Sequence, residues 1–297
     1  MIAIASSLLV LLFLLDLYDL RRNATSSASA PGLGLPAVCF LAGVAAIYCA
    51  LEAAAGWLAP DAETILDTSQ LVLADWFRAE QGGKPSATVA WGLAVVLFYT
   101  AGFWDYLVHR VFSHSRWFWF THEYHHLPRR VCLLMPGILG RPFAALPSVL
   151  TIGATAVTAH ATMFALGLPR WDLRGMLPVL LAIAVILTAS HSSFLRRLPG
   201  VHRCLRWVCI TTPQEHLLHH SADCAGNYGN FTSLWDRVFG TYLDPAGMNL
   251  DTVRLGLNYD QDFLGALTWG RLKLPKAWRH RFQLSHSCST DQPETSA

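Results

Sequence analysis

Histidine is the residue type in this 297-residue chain whose number and spacing are most suited to chemistry. Of its 13 histidines, nine fall into four short segments that read HRVFSH, HEYHH, TASHSSF and HLLHH. These nine are His109, His114, His122, His125, His126, His191, His216, His219 and His220. Neutral imidazole is a good ligand for Fe, Zn, Cu and Ni, and no thiolate accompanies these residues. The pattern therefore predicts a metal site.

The two HxxHH triplets have a spacing that suits a pair of ions. In each triplet the first and last histidines are four residues apart and share one face of a helix, with the middle one rotated by about 60°. One triplet can therefore serve two adjacent ions. Nine nitrogens exceed the roughly four to six positions around one ion, so two ions with four or five ligands each are the simplest solution.

The other three histidines leave more room for interpretation. His109 and His114 are five residues apart and would point about 140° away from each other on a continuous α-helix. They therefore suit either different ions or a helix that ends between them. His191 comes from a separate apolar segment and could complete one of the shells. Isolated histidines such as His160 and His202 are interpreted as packed or hydrogen-bonded residues.

The elements that must position these histidines are membrane helices. The chain is 53% apolar and only 14% charged, against about a quarter charged in soluble domains. Five apolar stretches are each long enough to cross ~30 Å of hydrocarbon. They are Ile2–Leu20, Pro36–Leu58, Ala87–Val108, Phe143–Leu168 and Met176–Leu195. The first could be a signal peptide, but no positive charge precedes it, so an uncleaved helix is favoured.

The distribution of basic residues predicts the orientation. With the N-terminus outside, the inner segments 21–35, 109–142 and 196–297 hold 2, 5 and 11 basic residues, and the outer segments 59–86 and 169–175 hold 2 each. The histidine segments then lie on the cytoplasmic side. Arginine outnumbers lysine 19 to 3, which favours a bacterial source. We therefore expect a multi-pass protein of the bacterial inner membrane.

Composition also excludes some classes of function. A net charge of +2, without a basic run interleaved with aromatics, argues against a nucleic-acid partner. Seven cysteines with no CxxC pair argue against a disulfide framework. Three regions are predicted: N-terminal transmembrane helices with an outer loop (1–86), a histidine-rich catalytic region (87–245), and a cytosolic tail that is partly disordered (246–297).

From Trp104 to Pro245 the sequence resembles the fatty acid hydroxylase and sterol desaturase superfamily of integral membrane, non-haem di-iron enzymes. The resemblance rests on DYLVHRVFSH followed by HEYHH, and on TPQEHLLHHSADCAGNYGNFTSLWDRVFGTYLDP. It implies an all-α bundle of about four or five transmembrane helices with a cytosolic helical cap. It also implies that the nine histidines hold two irons, with O₂ as co-substrate and an external electron donor.

The reaction that this resemblance implies is oxidation of a C–H bond of a lipid, such as a fatty acyl chain or a sterol. The product would be an alcohol or an alkene, and both outcomes stay open. The sequence contains no HPGG haem motif. Electrons are therefore expected from a separate protein of the ferredoxin or cytochrome b5 type with its reductase. Asn227, Tyr228, Trp235 and Asp236 belong to the shared text, and either ligand support or plain packing explains them.

Two other classes of function remain open. His122-Glu123-Tyr124-His125-His126 also satisfies HExxH, the zinc protease motif in which the glutamate is the general base. Against this reading, the second triplet has Leu217 where that glutamate would stand, and one zinc leaves most histidines without a role. A non-catalytic metal-binding or metal-transporting membrane protein is the third class, although transporters place ligands near the bilayer midplane.

Overall fold

A computed structural model describes residues 2–24, 87–128, 130–133, 143, 145–166 and 173–275. Within these ranges all regular elements are helical, and β pairing is confined to two isolated bridges, Ile210 with Thr232 and Ser221 with Leu255. The all-α prediction is confirmed for this part of the chain.

Ten α-helices follow one another along the described residues. They are α1 (Ile2–Ala24), α2 (Ala87–Leu107), α3 (Glu123–His126), α4 (Ala145–Ala165), α5 (Leu173–Ala189), α6 (Ser193–Arg196), α7 (Pro199–Trp207), α8 (Pro213–His219), α9 (Leu234–Val238) and α10 (Phe263–Leu267). Helix α2 continues directly into a π-helical segment, Val108–Ser113, and 3-10 turns occur at Trp119–Thr121 and Leu250–Thr252.

The four long helices coincide with four of the five predicted apolar stretches. Two runs, Thr88–Ser113 and Leu146–Ala165, are long and apolar enough to cross a membrane. Only 28% and 11% of their apolar windows are buried inside the protein, whereas the core helix of a soluble domain would be mostly buried. Their surfaces therefore fit a lipid environment. The predicted span 36–58, the outer loop 59–86 and the tail beyond 275 lie outside the described residues.

Helix α5 ends earlier than the apolar pattern predicts. The predicted stretch includes the polar residues Ser190 to Ser193 and runs to Leu195, but the helix stops at Ala189. A turn follows, and Ser192 begins α6 by accepting a hydrogen bond on its Oγ from the backbone N–H of Leu195 (3.1 Å). Serine favours such N-cap positions because its hydroxyl satisfies an unpaired N–H of the first turn. His191 lies in this turn and not on the helix, and its Nε2 faces His125 and His216.

The long helices pack into two small cores. Helix α2 lies against α4 and α5, where Leu97 and Val179 are buried, and Trp104 donates from Nε1 to Thr158 Oγ1 on α4 (2.9 Å). Helix α1 lies against α5 and α6. Its residues Leu12, Phe13 and Leu20 are buried together with Cys132 and Leu133.

Candidate metal centre

The structure brings all nine predicted histidines together in two adjacent groups. The first group holds His109, His114, His122, His126 and His219, and the second holds His125, His191, His216 and His220. Within each group, one ring nitrogen from every histidine lies within 4.8 Å of the others. Eight of the nine side chains are buried, and His114 is half-buried. Each group could hold one metal ion.

The division of the triplets follows the predicted spacing. In HEYHH the outer two histidines join the five-histidine group, while the middle one, His125, joins the four-histidine group. In HLLHH the outer two join the four-histidine group, and the middle one, His219, joins the five-histidine group. The groups are close neighbours, because the ring centroids of His126 and His220 are 4.6 Å apart.

His109 and His114 lie in the same group for a reason that the sequence analysis did not foresee. The chain between them is π-helical, and the N–H of His114 donates to the carbonyl of His109 five residues earlier (3.1 Å). A π-turn closes over five residues instead of four. The two rings therefore face the same point, with centroids 4.9 Å apart. Of the two alternatives, the structure favours a helix that ends between the two histidines: it becomes π-helical at Val108, ends at Ser113, and leaves both rings in one group.

Helix α8 presents its histidines through a strong N-terminal cap. Thr212 and Glu215 form a capping box: Thr212 Oγ1 accepts from the N–H of Glu215, and Glu215 Oε2 accepts from the N–H of Thr212 (2.9 Å). Pro213 occupies the first helical position, where its fixed φ suits a helix start. The other oxygen of Glu215 accepts from Tyr242 (2.6 Å). These contacts fix where the helix begins and hence where HLLHH points.

Backbone carbonyls set the protonation of three of the rings. The Nδ1 atoms of His109, His191 and His219 lie 2.5, 2.8 and 3.0 Å from the carbonyl oxygens of Tyr228, Leu187 and Gly226. A carbonyl oxygen can only accept, so each Nδ1 carries the proton and each Nε2 keeps a lone pair. This is the arrangement by which metal-binding histidines are usually oriented.

In the four-histidine group, the Nε2 atoms converge. His191 Nε2 lies 2.9 Å from His216 Nε2 and 3.3 Å from His125 Nε2, and His216 Nε2 lies 3.2 Å from His220 Nε2. Two nitrogens bound at right angles, each about 2.1 Å from a common ion, would be about 3 Å apart. The observed spacing thus fits ligands of a single ion.

The five-histidine group gives two similar observations. The Nε2 atoms of His109 and His122 are 2.8 Å apart. The Nε2 atom of His114 is buried and has no hydrogen-bond partner among the described residues. A buried nitrogen without a partner is costly, and a bound cation would remove that cost. The donor set therefore fits a metal ion here as well.

Burial keeps these imidazoles in the form that binds metal. Burial lowers the pKa of His114 to about 2, and the nearby His219 makes a smaller contribution in the same direction. Burial likewise lowers the pKa of His220 well below its ordinary value, and His126 is the next largest cause. A metal ion needs the neutral ring as ligand. At neutral pH these two side chains therefore need no deprotonation before they bind.

The loop 226–229 supplies two of the orienting carbonyls and is itself tightly held. Asn227 adopts a left-handed conformation (φ 51°), donates from Nδ2 to Glu215 O and Leu243 O, and accepts on Oδ1 from Leu243 N. Asp236 accepts from the N–H groups of Tyr228 and Gly229, both at 2.7 Å. Burial raises the pKa of Asp236 to about 6. Asn227 and Asp236 therefore support the histidines through this loop.

Trp235, from the same stretch of sequence, has a packing role. Its indole N–H donates to the carbonyl of Tyr99 on α2 (2.8 Å), and its ring lies edge-on to Phe103 at 5.0 Å. It attaches α9 to the long helix. Of the two readings that the sequence left open, support applies to Asn227 and Asp236, and packing applies to Trp235.

The model for the fatty acid hydroxylase family matches residues 94–241, which include all nine histidines and the supporting loop. The chain belongs to the fatty acid hydroxylase family. The family consists of hydroxylases and desaturases, so this member is an oxidoreductase in general terms, and its apolar helices agree with a membrane protein. No curated protein and no solved structure matches the chain.

A small cavity borders the five-histidine group of this family member. Its volume is about 150 Å³, and its walls include His114, His126, His219, Trp119 and Tyr259. The pocket is partly open to its surroundings and has room for a small ligand.

Glu123 belongs to a hydrogen-bonded cluster that sequence analysis missed. Its Oε1 accepts from the hydroxyl of Tyr259 (2.5 Å) and from Gln261 Nε2 (3.2 Å), while Trp119 Nε1 donates to the Tyr259 oxygen (2.6 Å). Burial raises the pKa of Tyr259, and the hydrogen bond to Glu123 raises it further. No motif marks Tyr259, which lies 136 residues further along the chain. Glu123 is thus bonded to the 259–261 segment, which weakens its interpretation as a protease base.

Two acidic residues of α1 were also missed. Asp16 and Asp19 are buried, and both contact the turn that follows His191. The signal was present in the sequence, because ionisable residues are rare within apolar helices of this length.

Proposed function

We propose that this protein is an oxygen-dependent di-iron membrane oxidase that hydroxylates or desaturates a C–H bond of a lipid, either a fatty acyl chain, a sterol or a related molecule. The observation that carries the proposal is the pair of adjacent histidine groups, one of five residues and one of four, inside the region that matches the family. An all-imidazole set suits iron, and two groups suit two ions.

The chain's own residues contribute position and protonation. The nine histidines would hold the irons, and the carbonyls of Tyr228, Leu187 and Gly226 would keep the ligand nitrogens directed inwards. Two bound irons supply the oxygen and electron-transfer chemistry that side chains lack. The remaining work of the protein is to orient the lipid beside them.

The substrate and co-substrate differ in how they would reach the site. The five-histidine group begins in the π-helical segment that continues α2, where the apolar side chain of Val111 is exposed. A lipid could therefore approach sideways from the bilayer with little desolvation cost. O₂ is small enough for the cavity of about 150 Å³ beside His114. We further propose that the site lies on the cytoplasmic side of a multi-pass protein of the bacterial inner membrane, because basic residues are concentrated in the segments predicted to lie inside.

The electron balance requires a partner. In hydroxylation, one oxygen atom enters the lipid and the other leaves as water, with two electrons from an external donor and two protons from solvent. In desaturation, two hydrogens leave the lipid and both oxygen atoms become water, again with two electrons from the donor and two protons from solvent. A separate ferredoxin or cytochrome b5 type protein with its reductase would provide these electrons.

Iron content and turnover test the proposal together. Purified protein is expected to carry close to two irons, and His122→Ala or His219→Ala should abolish lipid oxidation without unfolding the protein. His160→Ala is the matched control, because His160 contacts Ala156 on its own helix and lies outside both groups. Full activity in His122→Ala or His219→Ala would refute the proposal.

Lipid mass spectrometry identifies the reaction. Membranes with and without the gene should differ by a lipid that has gained one oxygen atom or lost two hydrogen atoms. The first result indicates a hydroxylase and the second a desaturase. A membrane whose lipids are unchanged, although the protein is loaded with iron and supplied with a donor, would refute lipid oxidation.

A zinc metalloprotease that uses HExxH is the second candidate. The motif itself favours it, since His122 and His126 share one group. Two observations oppose it: Glu123 is bonded to Tyr259 and Gln261, and the second triplet repeats the histidines without a glutamate. A non-catalytic metal-binding protein fits the family less well still.

A further inference from the structure

Asp16 is an unusual residue in the middle of the apolar helix α1. Its side chain is fully buried, with 0% exposure. One oxygen accepts from Ser192 Oγ (2.5 Å) and Phe194 N (3.1 Å), and the other accepts from Ser193 N (3.1 Å) and Leu133 N (3.0 Å). Four donors thus converge on one carboxylate.

Packing alone does not explain a carboxylate at this position. The neighbouring buried positions of α1 are Leu12, Phe13 and Leu20, and its opposite face exposes Leu11 and Leu14. An aliphatic side chain would fill the site without the cost of desolvating a charge. Hydrogen bonds are therefore what an aspartate adds here. A carboxylate with several donors holds their geometry more firmly than neutral groups do.

The four donors come from two segments that both lead to the four-histidine group. Ser192 directly follows His191. Leu133 lies in the segment that follows α3, the helix that carries His125. The Nε2 atoms of His125 and His191 face each other at 3.3 Å. Asp16 thus connects the two backbones on which these rings depend.

We infer that Asp16 is a positioning residue for the four-histidine group. It fixes the turn at Ser192 and the segment at Leu133 to one point, and so holds His191 opposite His125. Helix α1 is then part of the support of the metal centre. The inference rests on the proposed function, because it assumes that the group binds a metal ion.

Asp19, one turn later on α1, provides a matched comparison. It is also buried, accepts from Ser193 Oγ (2.9 Å) and pairs with Arg197 Nε (2.8 Å). These two partners lie on the His191 side of the centre. A variant at Asp19 therefore alters a buried carboxylate of the same helix while the link from Asp16 to Leu133 stays in place.

The test compares Asp16→Asn and Asp19→Asn in the full chain in detergent. Fe²⁺ alone is added without oxygen and bound metal is measured by equilibrium dialysis, with Co²⁺ absorption spectra as a second readout. Wild type and Asp19→Asn are expected to bind two ions. Asp16→Asn should keep one ion at wild-type affinity and bind the other about tenfold more weakly or worse, as when support of a metal ligand is removed.

Each alternative outcome has a definite meaning. Folded Asp16→Asn with two ions at wild-type affinity overturns the inference. Equal weakening by both variants also overturns it, because a general role in docking α1 would explain that result. If Asp16→Asn fails to fold, Ser192→Ala is used instead. It removes one of the four bonds together with the cap of α6, and a second ion bound with wild-type affinity would overturn the inference.

The proposed function can be judged separately in the same experiment. If wild type binds fewer than two ions, the di-iron proposal fails, and the role of Asp16 fails with it. If wild type binds two ions and Asp16→Asn does so equally well, the role of Asp16 alone is refuted.

Discussion

Replacing Asn227 by alanine would test whether the loop 226–229 controls the five-histidine group. The residue is almost fully buried and lies between the two carbonyls, Gly226 O and Tyr228 O, that accept from His219 and His109. Its side chain makes three hydrogen bonds, two of them with Leu243. Its removal should release both carbonyls at once.

The expected loss of stability can be worked from these contacts. Three hydrogen bonds at about 1 kcal/mol each amount to about 3 kcal/mol. Asn227 has a φ of 51°, a left-handed conformation that costs an alanine roughly 1–2 kcal/mol. Asn227→Ala should therefore lower the free energy of unfolding by about 4–5 kcal/mol. Asn227→Gly loses the same hydrogen bonds without the conformational cost, so it should be about 1–2 kcal/mol more stable than the alanine variant.

Two assays separate the loop's effect on the metal from its effect on the fold. Chemical unfolding in detergent gives the stability of each variant, and Fe²⁺ dialysis without oxygen gives its metal affinity. Both variants should bind Fe²⁺ about 10–100-fold more weakly, because the partners of two ligand rings are displaced. Wild-type Fe²⁺ affinity in folded Asn227→Ala or Asn227→Gly would refute the role assigned to the loop.

Two further predictions concern close packing and Glu123. A Cβ on Gly102 would lie 2.1 Å from Thr232 Cγ2, so Gly102→Ala should cost about 1–3 kcal/mol in unfolding assays. Gly92→Ala on the same helix, with nothing within 4 Å, should not, and Thr232→Ser should restore the Gly102 variant. Glu123→Gln keeps an oxygen that can accept from Tyr259, so lipid oxidation should fall by less than about tenfold. Complete loss of lipid oxidation with both metals still bound would instead indicate that Glu123 acts on the substrate.

The long helices of the fold could be predicted from hydropathy, since α1, α2, α4 and α5 each coincide with an apolar stretch. The end of α5 could not. The predicted stretch runs through the polar residues Ser190 to Ser193 as far as Leu195, and the helix stops at Ala189 because Ser192 caps a new helix. Hydropathy measures how a segment partitions into lipid and does not register where a hydroxyl competes for backbone N–H groups.

The candidate ligands of the metal centre could also be predicted from the sequence. Helical periodicity separates the middle histidine of each HxxHH triplet from the outer two, and in the structure the histidines fall into two groups in that way. The pairing of His109 with His114 was out of reach, because it depends on a π-helical segment. A π-turn differs from an α-turn by a shift of one residue in the hydrogen bonds, and the sequence VHRVFS gives no side-chain signal for that shift.

The supporting residues divide into those with a local signal and those without. Asn227 and Asp236 stand within the motif that carries the resemblance, so their importance could be suspected. Tyr259 reaches Glu123 across 136 residues and Asp16 reaches Ser192 across 176. Contacts of that separation depend on the tertiary packing of several helices. Charge within an apolar helix was the one local clue to Asp16.

The two histidine groups thus differ in what holds them. The five-histidine group depends on carbonyls of the loop 226–229, which lies within the residues that match the family. The four-histidine group depends on the carbonyl of Leu187 and also on Asp16, which lies before residue 94 and so outside that match. A metal centre needs its ligand rings held to within about half an ångström. The ligand motifs therefore specify which atoms bind, while the geometry of one group also depends on an N-terminal helix that those motifs do not include.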